Sequence, residues 1–154
     1  MQMTKTGFSY FGVRRPEHVR SDLEAMRSEG STQVLHTWSE EDLSYYRDTM
    51  GRIVEASHDV GLSVYVNSWA VGRVFGGEAN SELVAKNPGS CQILSTGEAM
   101  PAICPNHPAF QTYMDGWIDA VAGAGADTIF WDEPHFYFRK GRNGEWACRC
   151  NVCR

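Results

Sequence analysis

A chain of 154 residues has room for one domain. Hydrophobic residues at 42% and charged ones at 21% match a soluble globular protein and exclude a disordered one. A net charge of −5 offers no basic stripe for nucleic acid, and no apolar stretch approaches the roughly 18 residues that a membrane span needs.

The first residues, 1–7, hold one lysine and no apolar core of a signal peptide. The expectation is a cytoplasmic protein with reduced thiols. A first strand is expected over residues 7–13. Pro16 then opens a helix to about residue 28, with Val19, Leu23 and Met26 on one face and Gly30 as its stop. Residues 32–38 read as a second strand. Ser39 is a good N-cap with Asp42 in the first turn, and one helix is expected from there to about residue 59. A third strand follows over residues 62–69.

Next comes a loop of about 38 residues, far longer than the usual connection of roughly two to six. Such a length implies a functional or lid-like segment, or a small insert such as a hairpin. The stretch from Gly72 to Gly77 is rich in glycine but lacks both the strand–glycine–helix context and the lysine of a nucleotide site, so no organic cofactor is expected. Pro108 opens a third helix to about residue 123, with Phe110, Met114, Trp117, Ile118 and Val121 inward. The fourth strand, residues 128–131, is a short apolar run ended by Asp132, Glu133 and Pro134.

Repeated strand–helix units imply a parallel sheet. The strand ends carry Tyr10, then His36 and Trp38, then Asn67 and Trp69, then Asp132 and Glu133. In a (β/α)8 TIM barrel all of these would project at the carboxyl-end face, where active sites are built. A complete barrel needs about 250 residues and eight units. Four strands and three helices make an amino-terminal half-barrel, read as a single domain whose remainder would follow Arg154. The missing carboxy-terminal half-barrel, or self-association of a natural half-barrel, would supply the other strands.

Two adjacent acids at a strand end are equipment for protonating or attacking a glycosidic bond. Glu133 is the candidate general acid, and Asp132 either orients it or holds a sugar hydroxyl. Strand neighbours point to opposite faces, so the two acids need not reach one substrate. The bland alternative is a carboxylate that caps a turn or pairs with Arg139 or Lys140. His135 is placed to bind a hydroxyl or a metal.

The tetrapeptide Trp131-Asp132-Glu133-Pro134 resembles the Asn-Glu-Pro signature of retaining glycoside hydrolases with (β/α)8 barrels. Further stretches extend the likeness: residues 102–110, residues 125–127 with 130–135, and Cys148-x-Cys150-x-x-Cys153. Together they are similar to an uncharacterised family of glycosidase-like barrel proteins. The resemblance covers about half of such a protein. It implies a carbohydrate substrate with Glu133 as acid/base, and the strand ends would then set Tyr10, His36, Trp38, Asn67 and Trp69 around the sugar, with His135 just beyond. Asp132 stands where the signature has Asn, and the nucleophile of the seventh strand has no position here.

Cys148, Cys150 and Cys153 are spaced as thiolate ligands, and in a reducing compartment they favour a structural zinc ion. A structural site needs four ligands. The fourth would come from Cys104, from His135 or from sequence beyond the chain. Two other readings stay open: a non-catalytic carbohydrate-binding or structural barrel, and a metal-dependent hydrolase using His36, His135 and Asp132.

Overall fold

The computed structural model describes residues 5–77, 79–140 and 144–154. Its elements run β1 Gly7–Tyr10, α1 Pro16–Ser28, β2 Gln33–Thr37, α2 Glu40–Tyr45, α3 Arg47–Asp59, β3 Ser63–Asn67, α4 Glu82–Lys86, β4 Cys91–Ile93, β5 Ala99–Ile103, α5 Pro108–Gly123, β6 Thr128–Phe130, β7 Phe138–Arg139 and β8 Glu145–Trp146. The chain packs as two compact units. One comprises Met1–Ser68 with Trp117–Phe130, the other Trp69–Gly116 with Trp131–Arg154. Among the described residues no helix is long and apolar enough to cross a membrane.

The first unit is a four-stranded sheet in the order β1-β2-β3-β6. All three pairings are parallel, with Tyr10 beside His36, His36 beside Val66, and Val66 beside Ile129. This is the α/β arrangement expected of four strands joined in chain order. Alternate residues divide the sheet into two faces. Val34, His36, Val64 and Val66 are buried, together with Val19 and Leu23 of α1 and Ile53 and Val54 of α3. Each such Val, Leu or Ile contributes about 1.5–3 kcal/mol. On the other face Gln33, Leu35 and Tyr65 are only half-buried, and with Gly7, Ser9 and Phe130 they line an open cleft of about 270 Å³.

Pro16 starts α1 as expected, and Ser39 caps α2 through a reciprocal box. The Asp42 amide donates to Ser39 Oγ (3.2 Å), and the Ser39 amide donates to Asp42 Oδ2 (2.9 Å). The single helix expected over residues 39–59 is instead two, broken at Tyr46, whose φ of −126° is not helical. The break seats the Tyr46 ring 4.7 Å beneath the Arg14 guanidinium, which also pairs with Asp42 at 2.6 Å. The first strand is shorter than expected, because Gly12 turns the chain at φ +77°.

The long connection of the second unit is an ordered insert rather than a loop. A 3-10 turn over Val71–Arg73 leads to α4, capped by Ser81, and then to the antiparallel hairpin β4–β5. Its core holds Val71, Val74, Leu83, Leu94, Ile103 and Phe110. Gln92 is completely buried at its centre. Its Nε2 donates to the Ile103 carbonyl (3.1 Å), and its Oε1 accepts the Tyr137 amide (2.9 Å). Both ends of the amide are thereby satisfied, as a buried polar group requires. A second short hairpin, β7–β8, pairs Phe138 with Trp146.

Candidate functional site

The acid segment lies in the second unit and is fastened on both sides. The Gly76 amide donates to the Asp132 carbonyl (3.0 Å), and the His135 amide donates to the Val74 carbonyl (2.9 Å). Trp131 stacks on Phe75 with ring centroids 5.1 Å apart and planes at 18°. Gly76 lets the Asp132 carboxylate lie close, since a Cβ there would stand 3.1 Å from Asp132 Oδ2. Glu133 holds a left-handed φ of +43°, a conformation that a non-glycine residue keeps only when its surroundings impose it. Its side chain is exposed, and Asp132 beside it is half-buried. His135 Nδ1 donates to the Glu133 carbonyl at 2.8 Å, so one ring nitrogen is engaged in holding this turn. Trp69 packs over Gly77, where a Cβ would lie 2.9 Å from the indole.

Arg139, an alternative partner for these acids, pairs instead with Glu98 through two 2.8 Å contacts and with Glu145 at 3.3 Å. Glu98 is held below its ordinary carboxylate range by this guanidinium.

The remaining residues singled out from the sequence lie in the first unit. Tyr10 is half-buried, donates to Asp22, and meets the His36 ring edge-on at 6.0 Å. Its phenol is pushed up by burial and by Asp22. His36 is 2% exposed and its Nε2 lies 2.9 Å from Ser57 Oγ on α3. Trp38 is fully buried, and its carbonyl accepts the Trp117 indole N–H at 2.9 Å. Asn67 is 2% exposed and gives its carbonyl to the Trp38 amide at 2.8 Å. His36 and Trp38 therefore sit in the packed interior of their unit. Asn67 Oδ1 and Trp38 Nε1 are buried polar atoms without a hydrogen-bond partner among the described residues.

Burial lowers the His36 pKa from 6.5 to about 4, against a smaller raising effect of its contact with the Tyr10 backbone. The unfolded chain takes up the proton near pH 6.5, and the folded one resists until about pH 4. Stability is thus fully present above pH 6.5 and falls as the pH drops toward 4, by about 3 kcal/mol from this group. Urea titrations at pH 7 and pH 4.5 are expected to show the loss, and His36→Gln should flatten that part of the profile.

The second unit also gathers four cysteines. Cys104, at the end of β5, meets Cys148, Cys150 and Cys153 of the final turn, with all four sulfurs within 4.8 Å of one another. A tetrahedral ion with Zn–S bonds of about 2.3 Å would set its ligand sulfurs about 3.8 Å apart. The cluster is of that size, and its four thiols form a set that could hold a metal ion. Of the three sources open for the fourth ligand, the fold brings Cys104.

Outer contacts orient these sulfurs, as second-shell groups do in metal sites. The Ile93 amide donates to Cys148 Sγ (3.4 Å), and Asn106 Nδ2 donates to Cys153 Sγ (3.3 Å). Burial pushes the Cys104 thiol up, with Cys153 adding to the rise, and burial likewise raises Cys148. Cys150 goes the other way. Burial opposes its ionisation, but Cys148 and the Val152 and Cys153 amides draw it down to about 7. The fifth cysteine, Cys91, is outside the cluster, and burial raises its thiol. All five are free of disulfides, Cys91 and Cys104 included.

Compared with known proteins, the chain matches no family model, and no curated protein shows significant similarity to it.

Proposed function

We propose that this chain is a carbohydrate-active α/β protein, the amino-terminal half of a (β/α)8 barrel, in which Glu133 is the general acid/base. The observation that carries the reading is how Glu133 is presented. It follows the fourth parallel strand by three residues, its backbone is pinned by the Val74–Gly76 segment, and its carboxyl is exposed. Beside it Trp131 keeps one ring face on Phe75 while 42% of the residue stays open, the disposition of a platform for the apolar face of a sugar. Asp132, against Gly76, holds a hydroxyl or steadies the turn. His135 fixes the same turn through the Glu133 carbonyl.

The second carboxylate of a glycosidase and the other strands would come from a completing half-barrel or a second copy. The open sheet face of the first unit, and its edges β1 and β6, which no other described strand extends, are consistent with either. The metal of the cysteine cluster is zinc, in a structural role, and the free thiols fit a cytoplasmic protein. Zinc would supply cross-linking alone, with all four positions taken by Cys104, Cys148, Cys150 and Cys153.

Titration of the chain with soluble oligosaccharides, followed by amide resonances, tests the carbohydrate reading. Shifts concentrated at residues 131–136 are expected. Resonances that stay still, or shifts confined to other segments, would refute a sugar site at Glu133.

A further inference from the structure

We propose that the four-cysteine centre is an oxidant-sensitive clasp, in which a hydroperoxide joins Cys104 to Cys153 and expels the ion. The proposal rests on the reading of that centre as a zinc site. Two observations select the pair. Cys104 Sγ and Cys153 Sγ are only 3.4 Å apart, although 49 residues separate them in sequence. Cys104 is fully buried at the end of β5, whereas Cys153 is half-exposed in the last turn and faces the Asn106 amide. An oxidant from solvent meets the two half-exposed sulfurs, Cys148 and Cys153, before the buried pair, and of these Cys153 has Cys104 at 3.4 Å to resolve it. Cys148 and Cys150 are separated by a single residue, a spacing that strains a disulfide between them.

The Cys153 thiolate attacks one oxygen of the hydroperoxide. An S–O bond forms, the O–O bond breaks, and the leaving alkoxide or hydroxide takes a proton from water. Cys153 is then a sulfenic acid. The Cys104 thiolate attacks its sulfur, the S–S bond forms, and hydroxide leaves and is protonated to water. Two electrons have passed from the two thiolates to the peroxide. Only Cys148 and Cys150 remain as ligands, too few for a closed structural site, and the ion leaves.

The test uses the zinc-loaded chain, one equivalent of hydrogen peroxide and a chromophoric zinc chelator, followed by peptide mapping of disulfides. Release of the bound zinc, loss of two thiols and a Cys104–Cys153 cross-link are expected, with zinc taken up again after reduction by a dithiol. Cys91→Ser should behave as the parent does, since Cys91 is outside the cluster. Retained zinc, a cross-link between a different pair, or direct oxidation to sulfinic acid would overturn the proposal. A chain that binds no zinc before peroxide is added would instead defeat the zinc reading itself, and the clasp with it.

Discussion

Stripping the metal from the four cysteines is expected to unfold the second unit. Structural zinc in small thiolate sites contributes about 10–16 kcal/mol of apparent binding energy, and a whole domain is stable by only about 5–15 kcal/mol. The metal term therefore decides the outcome. The connections show what would be lost. Cys104 directly follows β5, and Cys148, Cys150 and Cys153 lie 44 or more residues further on, so an ion held by them would tie two segments distant in sequence. The Arg149 amide donates to the Ile93 carbonyl at 2.8 Å, and the Ala147 amide to the Tyr137 carbonyl at 3.0 Å. Tyr137 in turn reaches buried Gln92, and the acid turn lies a few residues before it.

A strong chelator, or Cys150→Ser, should abolish hydrogen-exchange protection across β4, β5 and the 131–137 segment. Thiolates must form before the ion binds, so zinc uptake should release protons and weaken as the pH falls. Protection that persists in the metal-free chain would show that the hydrophobic core of this unit suffices.

On the proposed reading, Glu133→Gln is the second large effect, expected of the chain completed as a barrel. Proton donation by a positioned carboxyl contributes about 10² to 10⁴-fold to the chemical step. Gln keeps the shape of the side chain and removes the proton. Turnover of a glycoside with a poor leaving group should fall by about that factor. An activated aryl glycoside needs no proton on departure and should be affected far less. Equal losses on the two substrates would show that Glu133 is not the acid, and unchanged rates on both would place the catalytic pair elsewhere. Asp132→Asn should be milder, because the segment is fixed by its backbone carbonyl, which the substitution keeps.

Local chemistry made much of the first unit legible. Pro16 and Ser39 mark helix starts there through proline geometry and capping, as Pro108 does in the second unit, and each acts within a few residues of itself. The break at Tyr46 was not legible, because it answers to Arg14, distant in sequence and brought in by the fold. A hairpin insert was one of the readings open for the long connection, but the positions of β4 and β5 within it were not legible. The strands are short, and Pro101 within β5 argues against a strand unless the residue lies on an exposed edge. Gly97, with φ +91° at the turn between them, was the local signal available.

The candidate site divides along the same line. The burial of His36 follows from its parity with Val34, since residues two apart in a strand share a face. The Cys148–Cys153 spacing was visible in sequence, but the place of Cys104 among those thiols was one option of three until the fold was known. The closeness of Gly76 to Asp132 had no signature beyond a glycine in a long connection.

Zinc-edge X-ray absorption on the chain as purified tests the metal centre most directly. A single shell of four sulfur atoms at about 2.3 Å is the predicted result. A shell containing nitrogen or oxygen, or fewer than four sulfurs, would contradict a centre made of Cys104, Cys148, Cys150 and Cys153.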